Sequence, residues 1–192
     1  ANMLNAKYFI VEGDNGSPEV MVNPDAMGNA WFVDEVRCVD TPREESDALN
    51  AMDFSKQAVT DKKFSSMVLE PNTFSGEIAL LSYAPDRLVY SSSCEGEKTA
   101  VFSDIYYPYG WKAYIDGAPV EHFRVNYVLR ALNVPAGEHE IMFEFRPDSI
   151  YKGFKVNALF RYIMYTLIIS LIVASVLREL GKGPKWLRDW GA

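Results

Sequence analysis

The sequence has few of the residues on which most metal and catalytic centres depend. Its 192 residues include two cysteines, Cys38 and Cys94, and two histidines, His122 and His139. Neither histidine has partners at metal-ligand spacing, so each is interpreted as an ordinary strand residue and no metal site is predicted. Two cysteines cannot form a disulfide scaffold. They are either half-buried free thiols or, in an oxidising compartment, a single bridge.

Several functional motifs are also missing. No glycine-rich loop has phosphate-binding spacing, and no Gly-x-Ser-x-Gly elbow occurs. Acidic pairs such as Glu44 and Glu45 are interpreted as solvated residues of a helix surface. The sequence therefore predicts no catalytic residue and no cofactor, and nothing supports a free-standing hydrolase. The net charge of −7 disfavours a nucleic-acid partner.

The chain begins at Ala1 without an initiator methionine or a signal peptide, which predicts a piece of a longer protein. Apolar residues make up 48% of it and aromatic residues 14%, enough to bury a core. The length suits one domain with an appendage.

The most informative stretch, residues 101–146, predicts short antiparallel strands. Asp116 and Gly117 tolerate positive φ and lie between two alternating runs, which indicates a tight hairpin that continues as a strand over residues 120–125. A second reversal at residues 135–138 precedes a run whose apolar residues recur with period two. Similar strands are predicted at residues 30–39 and from Gly76 onward. This spacing predicts a mainly β fold, an antiparallel β-sandwich or jelly roll.

One short helix is predicted to cover an end of this sandwich. Thr41 is a candidate N-cap, Pro42 suits the first helical position, and Glu44 completes a capping box. The helix is expected to end near Met52.

The C-terminal part is strongly apolar. Residues 160–177 carry one charge, Arg161, and contain neither glycine nor proline, which predicts a continuous membrane-spanning helix. Burial of this helix against the sandwich or in an oligomer is the alternative. The predicted division is a β domain over residues 1–152, a transmembrane helix over residues 153–178 and a basic tail over residues 179–192.

The flanks of the apolar segment indicate an orientation. Arg178, Lys182, Lys185 and Arg188 follow it, and basic flanks favour the cytoplasmic side. Aromatic residues suit both interfaces; Tyr151, Phe154 and Tyr162 lie on one side, Trp186 and Trp190 on the other. The lipid bilayer is thus a predicted partner, with the β domain in the periplasm or extracellular space.

One aromatic and polar constellation is a candidate binding site. Sugars pack their C–H faces on aromatic rings and hydrogen-bond to planar polar groups. The candidate residues are Tyr106, Tyr107, Tyr109, Trp111, Arg124, Asn126, Tyr127 and Arg130, with Tyr114 nearby. The alternative is that these residues fill the sandwich core, as strand aromatics commonly do. Trp111 is expected in the core. The two arginines are expected either to bind an anionic ligand group or to pair with Glu121 or Glu144.

The same stretch resembles a known family, the YfhO-like bacterial membrane proteins, which are polytopic and similar to GT-C glycosyltransferases. The matching segments are residues 106–114, 116–117, 124–131, 135–139, 4–9, 23–24 and 28–33. The resemblance covers most of this chain but only the C-terminal part of such a protein.

This resemblance implies an extracytoplasmic, non-catalytic module of a protein in the bacterial cytoplasmic membrane. The parent would use a lipid-linked sugar, and this module would bind or position the glycan. A catalytic acid would lie in an earlier loop that this chain lacks, so no catalytic residue is assigned by the resemblance. A structural or interaction module of a cell-envelope complex, without affinity for sugar, is the alternative function.

Overall fold

The computed structural model describes residues 1–14 and 16–182 and divides into two compact units, Ala1–Arg146 and Pro147–Ala192. The first unit is built mainly from antiparallel sheets and the second is helical, so the predicted fold class is confirmed. The tail residues Lys185, Trp186, Arg188 and Trp190 lie outside the described residues.

The described part of the first unit, residues 1–14 and 16–146, contains thirteen strands and one short α-helix. The strands are β1 (Tyr8–Glu12), β2 (Pro18–Val22), β3 (Ala30–Val33), β4 (Glu35–Val39), β5 (Gln57–Asp61), β6 (Gly76–Ala84), β7 (Arg87–Cys94), β8 (Lys98–Ile105), β9 (Trp111–Ile115), β10 (Ala118–Val120), β11 (Phe123–Val125), β12 (Leu129–Val134) and β13 (Gly137–Phe145). The helix α1 spans Pro42–Ala48, and 3-10 turns cover Asn2–Leu4 and Lys62–Met67.

Two sheets form the sandwich. One has the order β10-β9-β13-β7-β6 and the other the order β11-β12-β8-β3, with every pair antiparallel. Alternate side chains of both sheets meet in a shared core, in which Tyr90, Phe102 and Phe143 pack edge to face. Burial of these rings supplies much of the hydrophobic stabilisation of the domain.

A third layer, absent from the sequence prediction, covers the outer face of the four-stranded sheet. Strands β4 and β5 pair in parallel, and their Val36 and Ala58 pack with Trp31, Val101 and Phe123 in a second core. Strand β8 is therefore buried on both faces over residues 98–102. The predicted strand over residues 30–39 is broken at Asp34, and its two halves belong to different layers.

The Asp116–Gly117 hairpin is confirmed: φ is 50° at Asp116 and 80° at Gly117, and Ile115 pairs with Ala118. The strand predicted over residues 120–125 is wrong, because β10 stays beside β9 while β11 joins the opposite sheet. The reversal at residues 135–138 likewise connects β12 and β13 across the two sheets. At such a crossing the chain passes from one sheet to the other while apolar and polar residues continue to alternate. The sequence pattern alone therefore does not reveal the change of sheet.

Helix α1 begins as predicted, since Thr41 Oγ1 accepts a hydrogen bond from the Glu44 amide at 3.2 Å. It ends at Ala48, earlier than the expected Met52. The interpretation of Glu45 as solvated is wrong, because this residue is 0% exposed.

Both cysteines are free thiols; Cys38 is exposed and Cys94 is buried in the core between the two sheets. Burial raises the pKa of each thiol. The alternative of a single bridge is not what the structure contains.

The second unit is dominated by α2, which spans Asp148–Glu179. Its 32 residues rise about 48 Å at roughly 1.5 Å each, more than the ~30 Å of a hydrocarbon core. Within α2, all of which the structure describes, no residue is buried. The predicted continuous helix over residues 160–177 is confirmed, and it is long and apolar enough to cross a membrane.

Candidate functional site

The tyrosine-rich loop, residues 106–110, joins β8 of one sheet to β9 of the other. Gly110 is buried, and a Cβ at this position would collide with the rings of Phe145 and Tyr107. Its carbonyl accepts a hydrogen bond from the Arg146 amide at 2.7 Å. The loop is thus fastened to the end of β13, with Tyr107 and Tyr109 exposed.

Next to this loop, at the edge of the five-stranded sheet, is a groove of about 570 Å³, here called the aromatic groove. Its aromatic residues are Phe64, Tyr106, Trp111, Tyr114 and His122, and its charged residues are Lys63, Lys112 and Glu121. The volume lies in the range of small-molecule sites. The groove brings together three of the residues that the sugar-binding argument singled out.

Trp111 is partly buried, whereas the sequence predicted a mostly buried ring. It packs against the core, meets Phe145 edge to face at 5.3 Å, and lines the aromatic groove. Its position at the mouth of the sandwich leaves part of the indole available to a ligand.

Arg130 is held inside the sandwich mouth. It is 2% exposed, and its guanidinium carbon lies 4.5 Å from the Trp111 ring centre and 4.6 Å from that of Phe143. Its Nη2 lies 3.7 Å from Asp104 Oδ1, and neither Nε nor Nη1 meets a hydrogen-bond acceptor among the described residues. Burial lowers the pKa of Arg130, partly offset by Asp104. The cation therefore lies against two aromatic rings and does not reach the surface.

Arg124 forms a different internal contact. Its Nη2 lies 2.5 Å from Glu45 Oε2 and 3.8 Å from Asp61 Oδ2. Glu45 also accepts a hydrogen bond from the Tyr127 amide at 2.9 Å. Neither arginine pairs with Glu121 or Glu144, which the sequence had suggested as partners. Instead, Arg124 links the β11–β12 hairpin to α1.

The turn of that hairpin explains two further candidates. Asn126 and Tyr127 both adopt positive φ, 49° and 70°. Asn126 is 0% exposed. Its side-chain Oδ1 accepts a hydrogen bond from the Val59 backbone N–H at 3.0 Å, and its backbone N–H donates to the Val59 carbonyl at 2.7 Å. Asn tolerates left-handed backbone, and its side chain substitutes for a strand neighbour here. Asn126 thus joins the hairpin to β5.

The eight candidates therefore form two groups. Tyr106, Tyr107, Tyr109, Trp111 and Arg130 belong to one network of ring contacts that extends through Phe143, Phe145 and His122. Arg124, Asn126 and Tyr127 stabilise the hairpin near α1. Of the eight candidates, Tyr106 and Trp111 line the aromatic groove.

The sequence predicts an ordinary strand residue at His122, yet His122 precedes β11 and lines the aromatic groove. Its ring packs between Tyr106 and Phe143, at 5.3 and 5.9 Å. Burial lowers its pKa to about 4, and the nearby Arg130 charge acts in the same direction. The imidazole is neutral at pH 7, and its Nε2 has no hydrogen-bond partner among the described residues.

His139 lies at the far end of β13, where its Nδ1 is 2.6 Å from Asp116 Oδ2. This contact raises the pKa of His139 and lowers that of Asp116. The pair fastens the β9–β10 turn to β13. Among residues 1–14 and 16–182, no group of three or more histidine, cysteine or acidic side chains could hold a metal ion.

A larger cleft of about 1120 Å³ lies around β6, β7 and the start of β13. Its polar residues include Ser91, Ser93, Glu77 and Glu138, and at its inner end Lys98 Nζ is 2.6 Å from Asp34 Oδ1. Its lining comes from widely separated segments, so no local pattern marks it in the sequence.

No protein-family model, no curated protein and no solved structure matches this chain. Its function must therefore be argued from its own residues and geometry.

Proposed function

We propose that this chain is a non-catalytic, membrane-tethered module of a larger protein that resembles the YfhO-like family. In this proposal α2 crosses the bacterial cytoplasmic membrane and the β domain lies on its outer side. There the aromatic groove binds or positions a glycan during transfer from a lipid-linked sugar. The observation that carries the proposal is the groove itself, because it combines several rings with polar groups.

The chemistry of the groove suits a sugar. Tyr106, Trp111 and Tyr114 line the groove with aromatic rings. The two tyrosines add hydroxyl groups and Trp111 an indole N–H, and the lining residue His122 is neutral. Sugar C–H faces pack on such rings, and sugar hydroxyls can donate to or accept from such groups. The volume of about 570 Å³ accommodates one or two sugar rings.

The orientation is supported by the charges that flank the apolar segment. Four basic residues follow Leu177, namely Arg178, Lys182, Lys185 and Arg188. Arg146, Lys152 and Lys155 precede the run, and Arg161 lies at its start. Lysine and arginine favour the cytoplasmic side whereas acidic residues contribute little. The basic cluster directly after the run is the support for a cytoplasmic tail and an outer β domain.

A structural or interaction module without affinity for sugar is the second candidate function. The observation that favours it is the internal use of Arg124, Asn126 and Arg130, which were predicted to contact a ligand. No guanidinium of this set is available to a phosphate, so affinity for a lipid-phosphate group would have to come from other residues.

Calorimetric titration separates the two functions. The full chain, reconstituted in lipid nanodiscs, would be titrated with a panel of bacterial envelope oligosaccharides. We expect binding by the wild type and at least tenfold weaker binding by Tyr114→Ser. Tyr83→Ser is the matched control, because Tyr83 is an exposed tyrosine on β6, outside the groove.

We expect the Tyr83→Ser control to bind the oligosaccharides with wild-type affinity. Absence of heat with every oligosaccharide, or equal loss in both variants, would reject glycan binding at the groove and leave the interaction module.

A further inference from the structure

We propose that one end of the β domain rests in the headgroup region of the lipid bilayer. This surface, the tyrosine end, consists of Ile105, Tyr107, Tyr109, Tyr127 and Phe145. The proposal uses one part of the proposed function, that α2 crosses a membrane. It is independent of glycan binding.

The five side chains lie together because of the strand register. Ile105 pairs with Leu129, two residues after Tyr127, and Phe145 pairs with Trp111, directly after the tyrosine-rich loop. Tyr107 packs on Phe145 with ring centres 6.4 Å apart and meets Tyr109 at 5.9 Å. Both sheets therefore contribute exposed apolar side chains to the same end of the sandwich, where the tyrosine-rich loop joins β8 to β9.

These side chains are exposed although they are apolar or aromatic. The exposed fraction is 79% for Tyr109, 62% for Ile105 and 48% for Tyr107. Tyrosine has an apolar ring and a polar hydroxyl, and it is enriched where hydrocarbon meets water. An exposed cluster of such residues suits the bilayer interface better than bulk water.

The tyrosine end directly precedes the membrane-spanning helix in the chain. Phe145 is the last residue of β13 and belongs to the tyrosine end, whereas α2 begins at Asp148. Three residue steps span at most about 11 Å of extended chain. If α2 crosses a bilayer, a short connection therefore joins the tyrosine end to the helix that crosses it.

The opposite end of the domain has a different character. The turns there carry Glu95, Glu97, Asp116 and Glu138. Strand β13 separates the two ends by roughly 27 Å, at about 3.3 Å per residue. Bacterial membranes that contain anionic lipids repel carboxylates, so the acidic end is expected to point into water.

The tyrosine-rich loop is also ordered by contacts within the β domain. Its closure on β13 through Gly110 and Arg146 holds Tyr107 in place before any partner arrives. A side chain that is already ordered loses little entropy on binding.

The test is depth-dependent fluorescence quenching of the full chain in vesicles of phosphatidylcholine and phosphatidylglycerol. In a background of Cys38→Ser and Cys94→Ala, three single-cysteine variants carry the same fluorophore. They are Tyr109→Cys at the tyrosine end, Ala136→Cys at the acidic end, and Ile168→Cys within α2. Lipids with a nitroxide on the headgroup or on the acyl chain are the quenchers.

We expect several-fold stronger headgroup-nitroxide quenching at position 109 than at position 136, and strong acyl-nitroxide quenching at position 168. Equal, weak quenching at 109 and 136 with strong quenching at 168 would overturn the proposal and leave the membrane span intact. Absent quenching at 168 would overturn the span and, with it, this proposal.

Adding the envelope oligosaccharides to the labelled protein gives a second readout. A fluorescence change at position 109 with oligosaccharide but not with headgroup nitroxide would assign the loop to sugar and reject the membrane contact. The Ala136→Cys variant is the matched control, because position 136 is exposed and lies away from the aromatic groove.

Discussion

Removal of the Arg124 side chain should destabilise the β domain more than removal of its partner Glu45. Glu45 is 0% exposed and receives hydrogen bonds from Arg124 at 2.5 Å and from the Tyr127 amide at 2.9 Å. Arg124→Leu leaves a fully buried carboxylate with one amide donor. Removing one member of a buried ion pair typically costs about 3–5 kcal/mol of unfolding free energy.

Glu45→Leu should cost less, about 1–3 kcal/mol by the same reasoning. Arg124 retains Asp61 at 3.8 Å, and 21% of its side chain is exposed, so its charge is still partly solvated. The double variant, Arg124→Leu with Glu45→Leu, removes both charges, so no buried charge is left without a partner. Its cost should fall below the sum of the single costs by about 2 kcal/mol, the coupling expected for groups in contact.

Urea unfolding of the full chain in mild detergent, followed by tryptophan fluorescence to which the core residue Trp31 contributes, measures these differences. A pH series adds an independent readout. Burial raises the pKa of Glu45, so protonation favours the folded state and the domain should lose stability as pH rises through that pKa. Without Arg124 this dependence should become steeper, and mild acid should partly rescue Arg124→Leu.

The reasoning is refuted if Arg124→Leu costs no more than Glu45→Leu, or if acid does not rescue it. Either result would mean that Glu45 is not a buried charge that depends on Arg124.

Three further changes test the sandwich mouth by the same unfolding assay. Because burial lowers the pKa of His122 to about 4, the domain should lose stability as pH falls from about 6.5 towards that value. His122→Gln should reduce this acid-induced loss of unfolding free energy by about 2 kcal/mol, a value lowered to allow for the partial solvent exposure of the ring. An unchanged pH profile in this variant would contradict the prediction. Gly110→Ala should cost about 1–3 kcal/mol because the new Cβ meets Phe145, and a neutral effect would show that the loop is not fastened there. Trp111→Ala should cost about 3 kcal/mol, at the low end for a core aromatic, with Trp111→Phe as the control; a loss below ~1 kcal/mol would place the ring on the surface.

The elements that the sequence predicted correctly depend on residues close together in the chain. The Asp116–Gly117 turn, the Thr41 cap and the apolar run of α2 each follow from a local pattern. Backbone preference and side-chain spacing act over a few residues, so such elements can be predicted without the tertiary structure.

The elements that were missed depend on contacts between distant segments. Glu45 is buried because the β11–β12 hairpin reaches α1, about eighty positions later in the chain. The third layer exists because β5 pairs in parallel with β4 after a long crossover. No local pattern distinguishes such a carboxylate from a solvated one.

The candidate site was predicted in part for the same reason. The aromatic residues near the tyrosine-rich loop lie together because they are neighbours in the chain and in adjacent strands. Arg130 was expected at a ligand but is enclosed by Trp111 and Phe143, which approach it from the opposite sheet. His122 was overlooked because its groove position depends on the change of sheet between β10 and β11.

The most direct test of the account is the side of the membrane on which the β domain lies. A Ser93→Cys substitution with Cys38→Ser would be introduced into the gene in its own cells, because Ser93 is exposed whereas Cys94 is buried. A membrane-impermeant maleimide is then applied to cells whose cytoplasmic membrane is intact. We predict labelling of position 93 under these conditions, at the same level as after permeabilisation. Labelling that occurs only after the cytoplasmic membrane is opened would contradict the proposed orientation and, with it, the role in extracytoplasmic glycan positioning.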